Sequence, residues 1–97
     1  MPDNRKRIDK IFYALSDPTR RSIIQTLAKG PASVSAIAKP YDMTLPSLLQ
    51  HLQILEESAL IKSKKIGRVR TCEICPNKLK TAEKWLFDQR VRAENSG

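Results

Sequence analysis

Ninety-seven residues, 40% of them apolar and 29% charged, are one domain's worth of chain, enough for a single modest core. No apolar run approaches the ~20 residues that span a bilayer, and the opening MPDNRKRIDK leads into no cleavable apolar segment, so a cytoplasmic protein without a membrane span is expected. Eighteen Lys and Arg against ten Asp and Glu leave a net charge of +8, which favours a polyanionic partner, either nucleic acid or an anionic membrane surface.

In chain order, RKRIDKIFYAL (5–15) places Ile8, Ile11, Phe12 and Leu15 at helical spacing, with cations opposite. Ser16 and Asp17 interrupt this helix, and Asp17 can cap a second one, PTRRSIIQTLAK, with Pro18 at its first position. That helix buries Ile23, Ile24 and Leu27 and is stopped by Gly30 and Pro31. Ser33 begins a short helix, SVSAIAK, which Pro40 ends. Thr44 then caps TLPSLLQHLQIL, a helix expected to reach about Ser58. At 100° per residue, Leu45, Leu48, Leu52, Leu55 and Ala59 fall on one side, with Leu49 at the edge. Pro46, Ser47, Gln50, Gln53, Ile54 and Glu57 fall on the other, and His51, the single histidine, lies on the flank.

Beyond this helix, LIKSKK and RVRTCEI alternate about Ile66–Gly67, as in a basic hairpin of two short strands. Pro76 and Asn77 open a last helix, 77–92, carrying Leu79, Ala82, Trp85 and Leu86. The first four and last five residues read as disordered tails. The fold class is therefore mainly α: about five helices with a two-stranded antiparallel β-hairpin. A short helix, a tight turn and a longer helix with a polar front match a helix-turn-helix DNA reader (33–58), and a cation-studded hairpin (60–75) makes it the winged version.

The segment from Ala14 to Ile74, above all LSDPTRRSII, HLQILEESALI and GRVRTCEI, resembles the ArsR-type winged helix-turn-helix repressors. The resemblance implies a homodimeric repressor that leaves its operator when an inducer binds, with the first and last helices at the dimer contact. Applied here, Ile8, Ile11, Phe12 and Leu15 (within 5–15) pack with Leu79, Ala82, Trp85 and Leu86 (within 77–92) across a two-fold axis, unless they close the monomer's own core. Family metal sites use a cysteine pair in the short helix or carboxylates and histidines on the last one. SVSAIAKPYD has no cysteine and NKLKTAEKWLFDQRVR no histidine, so no metal or other cofactor is expected.

Cys72 and Cys75 form a C-x-x-C, but residues three apart on a strand point to opposite faces, which favours structural thiols over a metal or redox site. His51 has no nucleophile or metal partner in the sequence, and no glycine-rich phosphate loop is present, so no catalytic role is expected. His51 then flanks a DNA-reading surface, as a structural residue or a contact. Gln50 and Gln53 suit base edges, adenine above all. Thr44, Pro46 and Ser47, near the helix start, suit phosphate or base contacts. Lys62, Lys64, Lys65, Arg68 and Arg70 supply phosphate attraction, with Arg68 at the hairpin tip able to enter the minor groove. Arg20 and Arg21 are further backbone candidates. Relatives often carry serine at the position of Leu49 and lysine or histidine at that of Gln50, so a groove-facing Leu49 would meet thymine methyls instead. Double-stranded DNA is the expected partner. The rivals are a winged-helix protein-interaction module and a thiol-switched repressor using Cys72 and Cys75; no sequence feature specifies an inducer.

Overall fold

Capping residues set where the helices begin. The computed structural model describes residues 4–96, with side chains from Lys6 to Ser96, so the expected tail residues 1–3 and 97 and the Arg5 side chain lie outside the described residues. After α1 (Asn4–Leu15), Asp17 accepts the amide of Arg20 and starts α2 (Pro18–Ala28) with Pro18 at its first turn. A two-residue strand, β1 (Ala32–Ser33), leads into α3 (Val34–Ala38), where the Ser33 hydroxyl accepts the Ala36 amide. Thr44 caps α4 (Leu45–Glu57) through the Ser47 amide. The hairpin β2 (Ile61–Ile66) and β3 (Val69–Ile74) follows, and α5 (Pro76–Asn95) ends the chain.

Leu48, Leu52 and Leu55 are the buried face of α4, packed with Ile11, Ile23, Leu27, Ile37 and Leu60. The hairpin joins this core through Ile61 and Cys72, which lie on one face of the alternating strands. The winged helix-turn-helix architecture is thus as expected, with several differences of detail. The sheet has three strands in the order β1-β3-β2, because Ala32 and Ser33 pair with Cys72 and Thr71. Two residues are too few to leave a period-2 signal. The hairpin turn is Gly67–Arg68, not Ile66–Gly67, since Ile66 pairs with Val69. Gly67 at φ +61° takes the left-handed first position that such a two-residue loop demands. α5 runs through residues 93–95, expected as tail, and an Arg90–Glu94 pair one turn apart supports that end. Leu45, expected on the buried side, is 56% exposed because it starts α4 before the helix meets the core. Ile54, expected outside, is half-buried against the core.

Just past the end of α4, beyond its cap residue Ser58, Ala59 at φ +63° takes the left-handed position normally filled by glycine. Its amide bonds to the Glu56 carbonyl at 2.9 Å. Ala59→Gly is expected to stabilise the protein by about 0.5–1 kcal/mol, relief of the Cβ clash outweighing the greater entropy of the unfolded chain. A rise in urea midpoint with unchanged slope is the measurement that checks it.

Candidate nucleic-acid interface

The outer face of α4 carries Pro46, Ser47, Gln50 and Gln53, all exposed. They are not equally available. Gln53 donates its amide to Glu57 at 3.1 Å, whereas Gln50 has no side-chain bond among the described residues. The Thr44 hydroxyl accepts the Ser47 amide at 3.3 Å and donates to the Ser47 hydroxyl at 3.0 Å, so its first role is to cap the helix. Leu49 is half-buried against the core and does not stand free in a groove, whereas Leu45, at the start of the helix, is exposed.

His51 on the flank belongs to a cluster that the sequence did not reveal. Arg20, only 6% exposed, sends Nε to the Ala14 carbonyl at 2.8 Å and Nη2 to the Tyr13 carbonyl at 3.0 Å. Its Nη1 lies 3.1 Å from His51 Nδ1, and its guanidinium covers the Tyr13 ring at 5.1 Å. Arg21 donates to the Leu15 carbonyl at 2.8 Å. The two arginines therefore satisfy the last carbonyls of α1, and Arg20 also ties α1 and α2 to α4. Arg20 is buried with its guanidinium fully engaged, which corrects its expected role as a DNA-backbone contact, whereas Arg21 stays exposed. Asp17 sits beside them, its carboxyl held below the usual range chiefly by the Arg20 amide, against the opposing effect of burial.

On the wing, register separates the five cations. Arg70 Nη2 donates to Glu56 of α4 at 2.6 Å, and Ser63 also donates to that carboxylate. Lys62 pairs with its cross-strand partner Glu73 at 3.2 Å. Lys64, Lys65 and Arg68 are exposed and have no ion pair among the described residues. Arg68 stands at the tip, flanked by exposed Ile66 and Val69. The Glu56–Arg70 pair joins the wing to α4, fixing the two surfaces relative to each other.

The first and last helices meet through Phe12 and Trp85, edge to face with centroids 5.5 Å apart. Ile11 and Ala82 are buried within the chain's own core, so they are unavailable to a second subunit, as the closed-core alternative required. Trp85, Leu86 and Phe87 are exposed, and Ile8, Phe12, Leu15 and Leu79 are half-buried. Cys72 is fully buried, and burial pushes its thiol above the ordinary range; Cys75 precedes α5. Among the described residues no group of three His, Cys, Asp or Glu is placed to hold a metal, and no helix is long and apolar enough to cross a membrane.

A hairpin wing beside a capped, amide-bearing second helix defines a winged helix-turn-helix DNA-binding regulator. A family model described as a helix-turn-helix domain matches residues 15–64. The crystal structure of the ArsR family transcriptional regulator RHA00566 superposes with a TM-score of 0.90 at 45% identity, covering 97% of both chains. The HTH-type transcriptional regulator Rv2034 of Mycobacterium tuberculosis is 34% identical over 71 residues, which are 73% of this chain and 66% of that one. The transcriptional repressor SdpR of Bacillus subtilis is 27% identical over 88 residues, 91% of this chain and 98% of the relative. The chain belongs to the ArsR family of winged helix-turn-helix transcriptional regulators.

Proposed function

We propose that the protein is a homodimeric repressor that occupies a near-palindromic operator, with α4 in the major groove and the wing on the flanking backbone or minor groove. In this reading all 97 residues serve one DNA-binding domain. One observation carries it: exposed Ser47 and Gln50 on α4, and Lys64, Lys65 and Arg68 on the wing, which have no ion pair among the described residues, belong to surfaces joined by the Glu56–Arg70 pair. Gln50 reads a base edge, Pro46, Ser47 and His51 border it, and Leu45 takes the thymine-methyl contact otherwise open to Leu49. Thr44 acts mainly as the cap, Gln53 as a secondary contact, and Lys62 and Arg70 add charge from paired positions. Trp85 and Leu86, with Ile8, Phe12, Leu15 and Leu79 around them, form the two-fold contact, because so much exposed apolar surface on a small chain calls for a partner. Repression as the sign of regulation is carried over from the relative SdpR.

The test is selection of bound fragments from random duplex DNA by the purified protein, with its mass in solution measured alongside. The expected result is a dimer and two half-sites about one helical turn, ~10 base pairs, apart. Gln50→Ala is expected to relax preference at one position per half-site by about 1–3 kcal/mol while leaving the salt dependence unchanged. Sequence-indifferent binding, or a monomer on a single site, overturns the proposal. Binding that survives high salt and ignores DNA competitors indicates a protein-docking surface instead.

A further inference from the structure

We infer that His51 is a fixed hydrogen-bond donor to DNA, its proton pinned on Nε2 by Arg20, so that this position accepts only an acceptor atom on the duplex. The inference rests on the proposal that α4 enters the groove. A guanidinium stays protonated and only donates. With Arg20 Nη1 at 3.1 Å, His51 Nδ1 must therefore offer its lone pair. The neutral imidazole then carries its single proton on Nε2, across the ring from that contact.

The guanidinium cannot swing away to release the ring. Its Nε and Nη2 are bonded to the Ala14 and Tyr13 carbonyls, its face covers Tyr13, and it is buried. Among the described residues, Asp17 Oδ2 is the one carboxylate near Nδ1 that would draw a proton there, but it lies 3.9 Å away and accepts the Arg20 amide at 3.0 Å. The His51 side chain keeps 22% exposure, on the same helix side as exposed Ser47 one turn earlier. A donor there matches a phosphate oxygen or the O6 and N7 atoms of guanine, and rejects the amino groups of adenine and cytosine. Arg20 is then a positioning residue: it sets the polarity of a contact it does not itself make.

Two substitutions separate the halves of the ring. Asparagine can place its carbonyl oxygen where Nδ1 accepts from Arg20, but it does not reach the Nε2 position. Glutamine reaches that outer position with a donor and leaves Arg20 without an acceptor. His51→Asn is expected to keep nearly the wild-type melting temperature and to bind selected DNA about tenfold more weakly. His51→Gln is expected to melt earlier and, assayed while folded, to bind within about threefold of wild type. Long-range proton–nitrogen NMR spectra of the free protein should show Nδ1 unprotonated and Nε2 protonated. Replacing half-site guanines by 7-deazaguanine, or flanking phosphates by methylphosphonates, identifies the acceptor as base or backbone. His51→Asn binding like wild type, His51→Gln failing as badly as His51→Asn, or a proton on Nδ1 overturns the inference. Wild-type protein that shows the Nε2 proton but binds no duplex overturns the groove placement of α4 instead.

Discussion

Replacing Arg20 by alanine is expected to lower stability by about 3 kcal/mol, a large share of what a domain of this size has. In melting temperature that is a fall on the order of 15 °C. The cause is the set of acceptors left behind. The Tyr13 carbonyl keeps Ser16 as a partner, through its amide and its hydroxyl, but the buried Ala14 carbonyl and the part-buried His51 Nδ1 lose theirs. A cavity beneath Tyr13 adds to the loss. Arg20→Lys is expected to recover little, since one ammonium on a flexible stem cannot meet acceptors on α1 and α4 in a single plane as the guanidinium fork does. Thermal unfolding of both variants checks this; a fall of only a few degrees for Arg20→Ala would show that the buried network contributes little.

That residue also marks where sequence reasoning stops. The start of α2 was legible because Asp17 and Pro18 announce a cap locally, and the core face of α4 because Leu48, Leu52 and Leu55 recur at helical spacing. Arg20 reads as a surface cation in one dimension. It is buried because the chain reverses at Ser16–Asp17 and brings the open carbonyl end of α1 over its side chain, six and seven residues back. No local pattern encodes that contact, nor its reach to His51 thirty-one residues ahead. The wing cations show the same limit. All five look alike in KSKKIGRVR, yet strand register gives Lys62 to Glu73, and packing on α4 gives Arg70 to Glu56. Helix periodicity also misplaced Leu45, since a wheel records angle and not how far along its axis a helix meets its neighbours.

The division among those cations sets the second large effect. Lys64, Lys65 and Arg68 carry charge that no acid among the described residues neutralises, so they are the wing residues free to replace counterions on phosphates. Replacing all three by alanine is expected to weaken operator binding on the order of a hundredfold at physiological salt, and to reduce the slope of log K against log salt by roughly 2–3 per protomer. Melting temperature should hardly move, because exposed side chains without partners contribute little to folding. Lys62→Ala, which removes a cation already paired, is the control, with a slope change of at most about one. Arg70→Ala should behave differently again: it leaves the Glu56 carboxylate uncompensated beside the wing and loosens the joint with α4, so affinity falls more than the slope does. Salt-titrated binding of the three variants to one operator decides the matter. A triple variant whose slope matches that of Lys62→Ala would mean that the wing does not lie on the phosphates, and that α4 carries the electrostatics alone.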